Sequence, residues 1–96
     1  MTISASTVVE QSPRTASRII DGEAVVIVID ERKLHALNEV GTFVWSRARR
    51  RTVAEIVDEV VAEYEVDAET ATRDVIAFLS ELLALGAVRV VEPDAR

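Results

Sequence analysis

Side chains able to make or break bonds are few in this 96-residue chain, and they stand apart. His35 is its one histidine, and there is no cysteine. A nucleophile–base–orienter arrangement needs three suitable groups within mutual reach. A metal site needs several His, Cys or grouped carboxylates. His35 alone supplies neither, and it is expected to be an ordinary strand residue. The glycines stand singly at 22, 41 and 86, so no glycine-rich loop cradles a phosphate. The carboxylates fall at spacings that solubilise helix faces. This pattern points away from an enzyme and asks for no cofactor and no metal. The densest charge is basic: Arg47, Arg49, Arg50 and Arg51. It reads either as a solvated loop suited to the end of a helix, or as a docking point for an acidic partner segment.

The elements that would position any site follow from local chemistry. Lys33–Leu37 reads as an edge strand that runs directly into a helix. At the junction, the side-chain oxygen of Asn38 can accept a bond from a free N–H of the first turn. Before it, Thr15–Ile20 and Glu23–Ile29 form a hairpin about Asp21-Gly22, a favoured centre for a tight type I′ turn. Val25–Ile29 is five β-branched residues without alternation, which predicts a strand covered on both faces or central in its sheet. Lys33 and His35 are polar residues that suit an unpaired edge.

Three helices follow. The first runs from Asn38 to about Arg47 or Ala48, with Gly41 inside it. There a small residue either lets the helix approach the sheet or is merely tolerated. The second opens with a capping box, Thr52-x-x-Glu55. Its apolar positions at 53, 56, 57, 60, 61 and 64 give a clean helical stripe. The third starts at the cap Asp67 and stops at Gly86 as the C′ residue. Val75, Leu79, Leu82 and Leu83 form the middle of its apolar arc, widened by Ala71, Ile76 and Phe78. At 100° per residue the arc covers about 160°, more than a core-facing stripe needs. Either one flank is spare or both are covered by the other helices. After Gly86, AVRVVE reads as a short strand or an extended tail. Residues 1–13 are expected to be a flexible N-terminal segment, with Thr7–Gln11 the part able to lie extended along the body. Residues 14–91 are read as the folded domain and 92–96 as a tail.

Composition bounds the rest. The length suits one domain, and with only four aromatic residues the core must be mostly Val, Leu, Ile and Ala. A net charge of -6 disfavours nucleic acid and anionic membrane surfaces as partners. The N-terminus lacks the basic start and long apolar run of a signal peptide. No apolar run approaches the roughly 20 residues that span a bilayer. A soluble, cytoplasmic protein is the expectation.

The fold class expected is α+β: a three-stranded antiparallel sheet followed by three helices, in the manner of a winged helix-turn-helix. A recognition helix would then be Asp67–Leu85. From Thr52 to Leu85, however, nine residues are acidic and only Arg73 is basic, so that surface repels phosphates. A free edge strand beside an over-wide apolar helix instead suits β-augmentation, in which an extended peptide adds a fourth strand. The alternative is a winged-helix regulator or a dimeric protein-interaction domain, in which the edge pairs with a second copy.

At these residues the chain resembles the PqqD family, named for a pyrroloquinoline quinone biosynthesis protein. The resemblance covers roughly residues 14–90. It is carried by KLHALNEVGTFVW, RTVAEIVDEVVAEYEVD and DVIAFLSELLALGAV in that order. It implies a non-catalytic chaperone that binds the leader segment of a ribosomally made precursor peptide. It also implies presentation of that peptide to a modifying enzyme, often of the radical S-adenosylmethionine type. The same resemblance places the peptide beside the third strand and third helix. On the strand that is Lys33, Leu34, His35 and Ala36, with Leu37 turned to the core. On the helix it is the stretch from Arg73 to Leu83. Arg73, Ile76, Ala77, Ser80 and Leu83 are the expected contacts, with Phe78 marking the opposite flank as the alternative. The basic run Arg47–Arg51 departs from the short Asp-Gly turn frequent in such relatives.

Overall fold

Caps and turns set the element boundaries. In chain order the elements are β1 (Val8–Gln11), β2 (Thr15–Ile20), β3 (Glu23–Val28), β4 (Lys33–Ala36), α1 (Glu39–Arg47), β5 (Arg49–Thr52), α2 (Val53–Tyr64), α3 (Ala68–Leu85) and β6 (Val88–Val91). The computed structural model describes residues 3–91; the expected tail at 92–96 lies outside the described residues. Asn38 caps α1 by accepting from the Gly41 N–H, at 2.7 Å. Thr52 and Glu55 form a reciprocal capping box on α2, and Asp67 caps α3. Gly86 ends α3 at φ 81°, a left-handed conformation that glycine adopts without steric cost.

β2, β3 and β4 form the antiparallel meander, in that order. Asp21 and Gly22 have φ of 52° and 82°, as a type I′ turn requires. β3 is central, as its β-branched run implies, but it is covered on one face only. Ala24, Val26 and Val28 are buried, while Val25 is half-buried and Ile27 exposed. Side chains alternate across a strand, and the helices cover a single face of this sheet.

A second sheet, of order β5-β1-β6, corrects two expectations. Within residues 1–13, expected to be flexible with Thr7–Gln11 able to lie extended, Val8–Gln11 is not a loose appendage but the central strand of that sheet. Val9 is 0% exposed, and β1 pairs with β5 on one side and β6 on the other. The basic run, for which a solvated loop or a docking point for an acidic segment is expected, is largely strand at Arg49–Thr52. Arg50 sits at φ 61°, beside a register break at Val9/Glu10, so it is the extra residue of a β-bulge. Ile56, Leu79, Val26 and Val44 lie at the centre of the core between the sheets and the helices.

At the end of the meander a side chain completes the ladder. The Leu37 N–H donates to the Ala24 carbonyl oxygen at 2.8 Å. The Ala24 N–H donates instead to the buried Thr42 hydroxyl, at 2.7 Å. That hydroxyl lies 3.5 Å from the Leu37 carbonyl oxygen. Thr42→Val keeps the shape but strands a buried N–H, which costs about 1–3 kcal/mol. The expected result is a lower urea midpoint with an unchanged m-value.

Three carboxylates tie distant segments or caps together. Glu10 accepts from Arg89 and Arg50, and these bonds hold its carboxyl below the usual 4.5. Asp30 is lowered by Arg14, and Asp67 by the Thr70 N–H of its cap. Because all three folded values lie below the unfolded ones, the stability they add is complete above about pH 4.5 and is lost as pH falls through the folded values. The thermal midpoint should be flat between about pH 7 and pH 5 and fall below about pH 4. Glu10→Gln should make that acid limb shallower.

Candidate functional site

The β3–β4 register fixes what the open edge offers. Val26 opposes His35 and Ile27 opposes Leu34. In an antiparallel pair, hydrogen-bonded and non-bonded positions alternate. Leu37 bonds to Ala24, so Lys33 and His35 turn their N–H and C=O groups toward β3. Leu34 and Ala36 turn theirs outward, to the side where no strand pairs among the described residues. Side chains run the other way. His35 shares the helix-covered face with buried Val26, whereas Leu34, 63% exposed, shares the outer face with Ile27.

A groove of about 540 Å³ lies between this strand and α3. His35, Ala36 and Leu37 form one wall. Phe78, Leu82 and Leu85 form the other, with Asp74 and Glu81 on the same flank of α3. Val40 and Val44 of α1 and Tyr64 at the end of α2 line the space between. Gly41 matters here: a Cβ on it would stand 3.0 Å from Cζ of Phe78 and 3.1 Å from Oδ1 of the cap Asn38. The missing side chain is what lets the Phe78 ring lie against α1.

The predicted site residues divide. His35 and Ala36 line the groove. Leu34 meets the edge through its backbone, and Lys33 starts β4 on the helix-facing side without lining the groove. Arg73, Ile76, Ala77, Ser80 and Leu83 are not brought to it. Ile76 and Leu83 pack partly against the core, and Arg73 and Ala77 are exposed. The flank beside β4 is the one marked by Phe78. Val40, Tyr64, Asp74, Glu81 and Leu85 escaped the sequence reading as site residues. For Asp74, Glu81 and Leu85 the signal that could have found them was their shared flank of α3 with Phe78; Val40 and Tyr64 lie on other helices and no local spacing marks them.

Charges at the neighbouring helix junction are mostly paired internally. Arg47 donates to Glu59 Oε1 at 2.6 Å, and Arg51 pairs with Oε2 of the same carboxylate. Arg50 bonds Glu10 at 3.0 Å. The Arg47 guanidinium also lies 4.2 Å over the Phe43 ring, which meets Tyr64 edge to face at 5.4 Å. The Tyr64 phenol is pushed up by burial first, then by Glu39 and Glu63, with Arg47 opposing. Among the described residues no group of three or more His, Cys, Asp or Glu is placed to hold a metal ion. No described helix is long and apolar enough to cross a membrane.

Comparison with known proteins gives a consistent picture. The sequence model of coenzyme PQQ synthesis protein D (PqqD) matches residues 23–88. The structure of TbiB1 in complex with the TbiA(β) leader peptide is similar at TM-score 0.80 and 30% identity, covering 88% of this chain and 99% of that one. A lasso peptide synthetase B1 complexed with its leader peptide shares the fold at TM-score 0.76 and 20% identity, covering 85% and 98%. Among curated proteins there is no match.

Proposed function

Since the chain belongs to the PqqD family, we propose that it binds the leader segment of a ribosomally made precursor peptide and presents it to a modifying enzyme. The observation that carries this reading is the open edge of β4 beside an apolar groove. A peptide strand would pair with the outward N–H and C=O groups of Leu34 and Ala36. Its alternate side chains would enter the groove over Phe78, Val40 and Tyr64. That TbiB1, 30% identical over nearly the whole of that chain, is found in complex with a leader peptide supports the choice of ligand. The role is that of an adaptor and requires no catalytic group of the chain's own. For the enzyme served, a radical S-adenosylmethionine enzyme is the type that the family resemblance suggests. Duplex binding through α3 finds no support, because the flank beside the groove presents Asp74 and Glu81.

The test is an amide NMR titration with precursor peptides encoded beside the gene. Leu34 and Ala36 amides should shift, together with Val40, Gly41 and the Asp74–Phe78–Glu81 flank. Shifts centred on Ile76 and Ser80 would move the peptide to the other side of α3. Shifts confined to Arg49–Arg51 would discard strand addition at β4.

A further inference from the structure

We infer that the groove selects by charge, favouring extended peptides that set a lysine or arginine side chain against Asp74 and Glu81. This rests on the groove being the peptide site. The lining holds those two carboxylates and no lysine or arginine. The two lie seven residues apart on one flank of α3, about 10.5 Å along its axis, and both side chains are exposed.

Some carboxylates near the sheets and α2 are held internally, and others, such as Asp58 and Glu63, have no ion pair among the described residues. Glu10 and Glu59 each hold two arginines, Asp30 holds Arg14, and Glu55 and Asp67 serve helix caps. What sets the two rim carboxylates apart is that they line the groove. Among the described residues Glu81 has no ion pair, and Asp74 has only its neighbour Arg73 at 3.8 Å. Both members of that pair are more than two-thirds exposed, a setting in which an ion pair has little strength. An apolar floor with a negative rim complements an apolar anchor flanked by a cation. The overall charge of -6 would also speed the approach of a basic segment.

The rule can be tested without knowing the natural peptide. A random twelve-residue peptide library displayed on phage would be selected against the full chain, and then against Asp74→Lys/Glu81→Lys. Both positions are exposed on α3, and a thermal melt would verify that the variant is folded. The expected consensus has an apolar anchor with Lys or Arg at a fixed offset. The variant should select Asp or Glu at that offset. It should bind peptides chosen on the original chain about three- to tenfold more weakly at low salt, with the difference shrinking as salt rises. One apolar consensus common to both proteins, lost on Ala36→Pro, would overturn the charge rule and leave the groove standing. Peptides indifferent to Ala36→Pro, or no enrichment at all, would instead tell against the groove as the peptide site.

Discussion

Phe78→Ala should weaken peptide binding by about thirtyfold or more, whereas Ile76→Ala and Leu83→Ala should each change it by less than about threefold. The three side chains are similar in apolar character and sit on one helix, so the contrast isolates position. Phe78 stands in the wall of the groove, and Ile76 and Leu83 do not. An aromatic anchor buried centrally in an interface costs about 2 kcal/mol or more when truncated, and each 1.4 kcal/mol is a factor of ten. All three side chains pack partly against the core, so all three variants should lose some stability. Binding must therefore be read on protein shown to be folded, by peptide anisotropy beside a thermal melt. Gly41→Ala gives a second view of the same ring. Alanine favours the helix by about 1 kcal/mol, but its Cβ would meet Phe78 Cζ at 3.0 Å. The ring must move, and peptide affinity should fall even where helix stability rises. Equal losses for Phe78→Ala and Ile76→Ala would remove the assignment of this flank.

What the sequence revealed and what it hid follow from how local each determinant is. Thr52 with Glu55, Asp67, Asn38 and Gly86 set helix ends through bonds spanning a few residues, and all of these are legible. So is the Asp21-Gly22 hairpin. The second sheet was not. Its strands are only four residues long, and its pairs join positions such as Val9 and Val90, which no periodicity in either segment announces. Arg49–Thr52 has the composition of a surface run. It becomes a strand because β1 offers it an edge and Glu10 and Glu59 neutralise Arg50 and Arg51. The choice of flank on α3 was hidden for another reason. Ile76 with Leu83 and Phe78 with Leu85 widen the apolar arc on opposite sides, and hydropathy ranks neither first. The deciding residue is Gly41, whose vacant Cβ position faces the Phe78 ring rather than the sheet. On β4 the misleading signal was polarity. Leu34 resembles the inward residue, but register with Val26 turns His35 inward instead.

That register carries the second large effect. Ala36→Pro should reduce peptide binding by about a hundredfold while leaving the meander paired. Proline lacks an N–H and is tolerated on edge strands only where that N–H faces away from the sheet. Ala36 meets this condition: it opposes Val25 at a non-bonded position, and the adjoining bond runs from Leu37 to Ala24. The substitution removes one of the outward donors and leaves a peptide carbonyl unpaired at a partly dry interface, which costs about 1–3 kcal/mol. The ring also occupies the line along which a fourth strand must lie. Leu34→Asp supplies the complement. Its side chain lies on the outer face, so its backbone groups remain free to pair, and binding should fall by no more than about fivefold, the worth of one cross-strand contact. A proline that abolishes binding beside an aspartate that spares it would be the signature of recognition through the main chain. If the aspartate were the more damaging of the two, the peptide would instead be read by side chains on the outer face, and the fourth-strand geometry would have to be abandoned.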